Sequence, residues 1–297
     1  MPHHIAPAKP YNPIDFEGSF FVNDLRLHCV VRGHGHPLVF LHAGFLDGRM
    51  WDAECREFER VRLTVGYDRR GFGRSEGKPG PYSDCDDLVA LLEVLNLSQG
   101  DVVAISDSAP IALELAVRRP DLVRSLVLTS PLLPDQLVPS GGDLSEVDWS
   151  ILGRREMEIR WTLQMEGMEP ACERLLELWG PALEPSIRLT LLRIIAENAA
   201  MSLGEARLSL PPDLETLGQI SHVECPCLIL TGDRDLKIVR ALGRWLRDHL
   251  PQGRYREIAG ADHLVNWSQP TEFRRELRSF LGSSSPVAEE PRPPSEW

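Results

Sequence analysis

A serine and a histidine occupy positions from which they could carry out nucleophilic catalysis together. Ser106 follows an apolar run at residues 102–105, and a helix-like stretch at residues 111–116 comes shortly after it. A strand, a sharp turn and a helix in this order lift a serine hydroxyl clear of a sheet. The hydroxyl needs a base, and His263 follows a strand-like stretch at residues 255–258, from which a loop can bring it over the sheet edge. Ser106 and His263 are therefore the first candidate catalytic pair.

The elements that must position this pair alternate along the chain. A predicted hairpin spans residues 20–31, with Asn23 and Asp24 at its turn. Apolar strands and helical patterns then follow one another, with strands at 38–41, 63–67, 102–105, 126–128 and 228–230 and helices at 85–95, 111–118 and 239–250. This alternation predicts an α/β fold, with a mostly parallel sheet covered by helices on both faces.

One long stretch, residues 133–221, interrupts the alternation with helical segments only. These are predicted at residues 151–165, 169–179 and 187–200. The apolar side chains at helical spacing in this stretch either face a substrate or pack between the helices and the sheet; they are Trp161, Leu163, Met165 and Met168. The proline-, serine- and glutamate-rich residues 283–297 are predicted to be a disordered tail.

Four segments resemble motifs of the α/β-hydrolase superfamily, and they cover most of the chain. They are the third strand with its oxyanion loop (37–44), the D-x-R-G-x-G-x-S turn after the fourth strand (67–75), the nucleophile elbow (104–108), and the strand and turn that carry the triad acid (227–235). The order Ser, Asp, His along the chain is also the order that this superfamily uses.

The resemblance implies an architecture as well as a chemistry. A member of this superfamily has a mostly parallel eight-stranded sheet with helices on both faces, and a capped member carries a helical cap inserted after the sixth strand. Applied to this chain, the resemblance implies a hydrolase core at residues 1–132 and 222–282 and a helical cap at residues 133–221, followed by the tail.

The implied reaction is acyl transfer to water on a small-molecule substrate that contains an ester, a lactone or a related carbonyl. His263 takes the proton of Ser106 as it attacks the carbonyl, an acyl-enzyme forms, and His263 then activates water. The resemblance makes Asp235 the acid that orients the imidazole, with Asp233 as the rival. Asp262, next to the histidine, is expected to be a solvated loop carboxylate.

The resemblance assigns the oxyanion hole to the backbone N–H groups of Gly44 and Asp107, while His42 buttresses the loop. The family's G-x-S-x-G elbow is altered here, because Ala104 and Ser108 replace its two glycines, although both are small. A carboxylate at Asp107, about 5 Å from an oxyanion, would oppose it by roughly 3 kcal/mol at an effective dielectric of about 20. That cost corresponds to about a hundredfold in rate. In the first turn of a helix, the same carboxylate also favours the helix dipole without any catalytic role.

Two alternatives remain open. Shifting the elbow by one residue makes Asp107 the nucleophile, as in the dehalogenases and epoxide hydrolases of this superfamily, but it puts the bulky Ile105 at the first small position. In the second alternative, the chain is a hydrolase-fold protein that binds a ligand, or rearranges one without an acyl-enzyme. This alternative is open because a fold does not fix a function.

Composition excludes several other classes. The 297 residues, 42% hydrophobic and 26% charged, are ordinary for a globular enzyme, and the net charge of −12 opposes binding to nucleic acid or to an anionic membrane. No apolar stretch has the length of a membrane span, and the first residues lack the features of a signal peptide, so a cytoplasmic protein is expected. The six cysteines lack zinc-site spacing and are predicted to be reduced thiols. We expect no metal and no cofactor, and the sequence leaves a homodimer open.

Overall fold

An eight-stranded sheet organises the chain in the computed structural model, which describes residues 15–78, 80–138, 150–203 and 209–283. Its strands are β1 (Asp15–Val22), β2 (Leu25–Gly33), β3 (Pro37–Leu41), β4 (Leu63–Tyr67), β5 (Gly100–Ile105), β6 (Val123–Thr129), β7 (Cys227–Gly232) and β8 (Gly253–Ile258). Their spatial order is β1-β2-β4-β3-β5-β6-β7-β8. β1 and β2 pair antiparallel, β2 pairs antiparallel with β4, and all the other pairs are parallel.

The predicted hairpin is present and begins earlier than expected, at Asp15. Its two-residue turn places Asn23 and Asp24 in the left-handed region, with φ of 44° and 65°. Asparagine and aspartate tolerate this conformation better than most residues, and it matches the twist of the flanking strands.

Ten helices lie in the described ranges. They are α1 (Asp52–Phe58), α2 (Asp84–Val94), α3 (Ala109–Arg118), α4 (Ser150–Met165), α5 (Met168–Trp179), α6 (Pro185–Ser202), α7 (Leu214–Leu217), α8 (Lys237–His249), α9 (Val265–Ser268) and α10 (Pro270–Ser283). Every residue of β3, β4, β5 and β7 is buried, so both faces of the central sheet are covered. The predicted α/β fold with a mostly parallel sheet is confirmed.

Helices alone connect β6 to β7 in the part of that connection that the structure describes. We call α4, α5 and α6 (residues 150–202) the helical insertion. The prediction of a helical interruption is correct for these residues, whereas the domain boundaries at 132/133 and 221/222 stay predictions. The predicted tail, apart from Ser283 at the end of α10, lies outside the described residues.

Core packing, one of the two roles expected for the apolar stripe in the insertion, is wrong for three of its four residues. Trp161, Met165 and Met168 are 55%, 64% and 42% exposed, and only Leu163 packs partly against the core. The opposite side of α4, through Ile159 and Thr162, is the buried one. Helical spacing predicted a stripe, but not which face of the helix packs.

The described residues contain no helix that combines the length and apolarity needed to cross a membrane. All six cysteines are free thiols, as predicted.

Candidate active site

Ser106 occupies the sharp turn between β5 and α3. Its φ is +60°, a left-handed conformation that costs a non-glycine residue energy and therefore needs support from its surroundings. A 3₁₀ turn, Ser106–Ser108, comes first, and α3 begins at Ala109. The structure thus gives Ser106 the strand-turn-helix position that the sequence predicts for a nucleophile.

Ser108 supplies part of that support. Its Oγ accepts the N–H of Ile105 at 2.9 Å and lies 2.7 Å from the carbonyl oxygen of Ile105 and 3.2 Å from that of Leu41. The hydroxyl therefore links the ends of β5 and β3 around Ser106, which a glycine at this position cannot do. The sequence analysis describes Ser108 only as a small residue. The tendency of serine side chains to hydrogen-bond to nearby backbone groups is the signal that could have predicted its role.

His263 and Asp235 are brought together after β8 and β7. The Nδ1 atom of His263 lies 3.0 Å from Oδ2 and 3.2 Å from Oδ1 of Asp235, and both side chains are buried. Asp233 instead accepts the N–H of Gly260 at 2.7 Å. The carboxylate that meets the imidazole is therefore that of Asp235. With Nδ1–H on the carboxylate, Nε2 is the ring nitrogen available to act as a base.

Ser106 and His263 are not hydrogen-bonded to each other in this structure. Nε2 of His263 is buried and has no hydrogen-bond partner among the described residues. Catalytic hydrogen bonds are often long before substrate binds. Nε2 of His263 therefore stays available as a proton acceptor.

A tryptophan of the helical insertion covers the imidazole. The ring of Trp179, at the end of α5, lies 4.2 Å from the ring of His263 between centroids, and Phe45 is stacked 6.5 Å from the same indole. Trp179 therefore packs between the histidine and the loop that follows β3. The sequence pattern singles out Trp161, the other tryptophan of the insertion, and contains no signal for Trp179.

The carboxylate of Asp107 is paired with a cation. Nη2 of Arg69, from the turn after β4, lies 3.1 Å from Oδ2 and 3.4 Å from Oδ1 of Asp107. The Arg69 side chain is 1% exposed and that of Asp107 is 29% exposed. The sequence estimate of a roughly hundredfold penalty assumed a lone charge, and that assumption is wrong because a buried guanidinium offsets the charge.

Gly44 and Asp107, the two residues predicted to form the oxyanion hole, lie side by side. A Cβ atom added to Gly44 would be 2.4 Å from Oδ2 of Asp107, so a larger residue here requires the Asp107 carboxylate to move. The Asp107 carboxylate therefore lies against the loop that follows β3.

His42 joins two loops beneath the site. It is fully buried, its Nε2 accepts the backbone N–H of Arg69 at 2.9 Å, and its Nδ1 lies 2.8 Å from the carbonyl oxygen of Ala43. Burial, reinforced by the charge of Arg69, lowers the pKa of His42 to about 4, so the ring stays neutral. This geometry is that of a buttress, as the sequence suggested.

Asp262 is buried, so the expectation of a solvated carboxylate is wrong. Its exposure is 0%, its Oδ1 accepts the N–H of Leu264 at 3.0 Å, and its Oδ2 accepts the N–H of Ala182 at 2.9 Å. Burial raises the pKa of Asp262, and these hydrogen bonds oppose that rise. Because Ala182 lies 80 positions away in the helical insertion, no local pattern could reveal this contact.

A cavity of about 320 Å³ opens beside Ser106, Gly44 and Asp107. Its wall is mainly apolar and comes largely from the helical insertion, with contributions from Leu152, Ile159, Leu175, Leu178 and Trp179. One charged pair also lines it, in which Arg160 donates to Glu156 at 2.9 Å. The arrangement suits a small, mostly apolar ligand placed against the Ser106 hydroxyl.

Comparisons with known proteins agree with this architecture. Residues 38–276 match the model of the alpha/beta hydrolase family. A putative carbamate hydrolase of Klebsiella pneumoniae is 29% identical over 271 residues, which cover 87% of this chain and 96% of that protein. An (E)-2-((N-methylformamido)methylene)succinate hydrolase of Acinetobacter baylyi is 22% identical over 265 residues, covering 87% of this chain and 95% of that protein.

Solved structures show the same fold. The enol-lactonase of Burkholderia xenovorans aligns with a TM-score of 0.70 at 20% identity, covering 89% of this chain and 100% of that one. A thermophilic esterase of Thermogutta terrifontis aligns with a TM-score of 0.68 at 22% identity, covering 91% of this chain and 99% of that one. The chain belongs to the alpha/beta hydrolase family, and the predicted superfamily is confirmed. It is an enzyme of the hydrolase class.

Proposed function

We propose that this chain is a serine hydrolase that cleaves a small ester, lactone or related carbonyl compound through an acyl-enzyme on Ser106. The observation that carries the proposal is the left-handed backbone of Ser106 at the end of β5, beside the cavity. The Asp235–His263 hydrogen bond supports the proposal, because it holds the imidazole in the tautomer that a general base requires.

In the proposed mechanism, the Oγ of Ser106 attacks the carbonyl carbon and its proton moves to Nε2 of His263. The carboxylate of Asp235 stabilises the imidazolium, which returns the proton to the leaving oxygen or nitrogen as the acyl-enzyme forms. A water then gives its proton to Nε2 and attacks the acyl carbon, and Ser106 recovers the proton on release of the acid. The backbone N–H groups of Gly44 and Asp107 stabilise the oxyanion in both halves of the reaction.

The cavity favours a compact acyl group. Its volume of about 320 Å³ lies near the lower end of ligand pockets, and its mainly apolar wall offers few polar partners away from Ser106. The similar proteins named above are called a putative carbamate hydrolase, a succinate-derivative hydrolase, an enol-lactonase and an esterase, and these names denote hydrolysis of carbonyl compounds.

The alternative with Asp107 as nucleophile is less well supported. The left-handed elbow position belongs to Ser106, and the carboxylate of Asp107 is engaged by Arg69, which lowers its nucleophilicity. A ligand-binding protein without an acyl-enzyme is the remaining alternative, and probe labelling together with the kinetics of Ser106→Ala and Asp107→Asn separates all three.

The test is reaction with a fluorophosphonate probe, followed by mapping of the labelled residue by mass spectrometry. We expect the label on Ser106 and none on the Ser106→Ala variant. Ser130→Ala is the matched control, because Ser130 is also buried and left-handed, with φ of 44°, but lies at the end of β6. A folded wild-type protein that takes no label would reject the serine mechanism.

Hydrolysis of p-nitrophenyl acetate gives the corresponding kinetic prediction. Replacing Ser106 or His263 by alanine should lower kcat by several orders of magnitude while the melting temperature stays near that of the wild type, because the members of a triad act as a unit. Activity within tenfold of wild type in either variant, or loss of activity in Asp107→Asn but not in Ser106→Ala, would overturn the proposal.

A further inference from the structure

A short segment of the helical insertion contacts the loop that carries His263 at two points. We call residues 179–182 the insertion turn and residues 260–264 the histidine turn. The indole of Trp179 lies against the imidazole, with 4.2 Å between ring centroids. Three residues later, the N–H of Ala182 donates to Oδ2 of Asp262 at 2.9 Å. Both contacts thus link the same two segments.

The carboxylate of Asp262 links the residue after His263 to the helical insertion. Oδ2 accepts from the insertion, while Oδ1 accepts the N–H of Leu264 at 3.0 Å. On the other side of His263, the N–H of Asp262 donates to Oγ of Ser268 at 3.2 Å. The backbone on either side of His263 is therefore held by two side chains, Asp262 and Ser268, and only Asp262 also reaches the insertion.

The burial of this carboxylate depends on the insertion. An ionised carboxylate without water needs hydrogen-bond donors, and one of its two backbone donors is Ala182. If the insertion turn moves away, Oδ2 loses that donor and must be hydrated, and Trp179 leaves the imidazole at the same time. Docking of the insertion and the placement of His263 are thus linked through the same contacts.

We propose that Asp262 is a positioning residue through which the docked helical insertion holds His263 in its working orientation. The role assigned to His263 rests on the proposed serine hydrolase function. The docked insertion thereby completes the site in addition to roofing the cavity, and His263 loses part of its restraint when the insertion undocks.

Asp262→Asn is the first test, because asparagine keeps the volume and replaces one acceptor oxygen by a donor. We expect the rate of fluorophosphonate labelling at Ser106, and kcat for p-nitrophenyl acetate, to fall by about tenfold to a hundredfold, as misplacement of a catalytic group does. KM should change by less than kcat, since Asp262 itself does not line the cavity. A purely structural role would lower the melting temperature without this split between kcat and KM.

Asp213→Asn is the matched control. Asp213 is an exposed aspartate whose carboxylate also accepts two hydrogen bonds, from the N–H of Glu215 at 3.0 Å and from Oγ1 of Thr216 at 2.6 Å, at the start of α7. Removing this carboxylate should leave the labelling rate unchanged.

A double-mutant cycle tests whether Asp262 and Trp179 act through the same docking. Trp179→Leu removes the aromatic ring from His263 and leaves the carboxylate in place. If both side chains serve one docked state, the double variant should be labelled at about the rate of the slower single variant. Rate losses that multiply would mean independent effects and would overturn the coupling.

Hydrogen exchange gives a readout that does not depend on activity. In Asp262→Asn, and equally in Trp179→Leu, peptides covering residues 179–184 and 260–266 should exchange faster together. The Trp179 variant keeps the test available if Asp262→Asn does not fold. Faster exchange in one segment only, or labelling of Asp262→Asn within twofold of wild type, would reject the inference. Absence of label on wild-type Ser106 would instead reject the proposed function, while the exchange result would still decide the coupling.

Discussion

The two turns that carry Ser106 and His263 each place a carboxylate next to the functional residue, and they hold it in opposite ways. Asp107, directly after Ser106, is partly exposed and paired with the guanidinium of Arg69. Asp262, directly before His263, is fully buried and accepts hydrogen bonds from backbone N–H groups. At the Ser106 turn a guanidinium cation binds the carboxylate, whereas at the His263 turn backbone N–H groups bind it.

The charge that develops in the proposed reaction explains this difference. At the Ser106 turn an oxyanion forms, so a neighbouring carboxylate opposes the reaction unless a cation offsets it. At the His263 turn an imidazolium forms, so a neighbouring carboxylate favours the reaction and needs no cation. Hydrogen bonds alone then suffice to keep the Asp262 carboxylate in a buried position.

Removing the cation is the strongest way to break the comparison. In Arg69→Met the carboxylate of Asp107 loses its ion pair with Arg69, and we expect kcat for p-nitrophenyl acetate to fall by about a hundredfold at neutral pH, from an unfavourable interaction of roughly 3 kcal/mol. The backbone N–H of Arg69 still reaches His42, so that loop contact remains.

The control for this prediction is Asp107→Asn, made alone and together with Arg69→Met. Asp107→Asn alone should change kcat by less than tenfold, and Arg69→Met with Asp107→Asn should recover most of the activity, because the carboxylate next to the oxyanion is then gone. A double variant as slow as Arg69→Met would show that the arginine acts through structure and not through the charge of Asp107.

A smaller effect is expected at Ser108, which supports the Ser106 turn with a neutral hydroxyl. Ser108→Ala leaves the buried N–H of Ile105 without its side-chain acceptor, and we expect a loss of about 1–3 kcal/mol in the free energy of unfolding. Urea unfolding monitored by circular dichroism measures it. Ser108→Gly restores the second glycine of the family motif but not the hydroxyl, so this variant should be no more stable than Ser108→Ala. A glycine variant as stable as wild type would show that the hydroxyl contributes little.

Sequence patterns were sufficient wherever the determinants are local. The run into Ser106, the turn at Asp235 and the loop at His263 are each specified by a few consecutive residues, because strand, turn and helix preferences act over short distances. The order of these segments then indicated the fold, and the sheet brings Asp235 to His263.

The contacts that the sequence did not reveal join distant segments without a motif. Arg69 and Asp107 are 38 positions apart, and Ala182 and Asp262 are 80 apart. Their interaction depends on how loops pack on the finished sheet, which periodicity does not describe. The sequence therefore contains no signal for the Arg69 pair at Asp107, and it predicts a solvated carboxylate at Asp262.

The smallest expected effect concerns Glu54, a carboxylate that combines the two solutions. It is buried like Asp262 and paired like Asp107, since Nε of Arg274 lies 2.9 Å from its Oε1. Burial outweighs the arginine and raises the pKa of Glu54 from 4.5 to about 7. The folded state therefore holds this proton more tightly than the unfolded state, and Glu54 contributes stability below pH 4.5 that is lost as the pH rises towards 7.

Glu54→Gln removes this dependence, so the melting temperature of wild type minus that of the variant should fall by a few degrees between pH 5 and pH 8, measured by calorimetry. A wild-type advantage that grows with pH would mean that the pairing with Arg274 outweighs burial at Glu54.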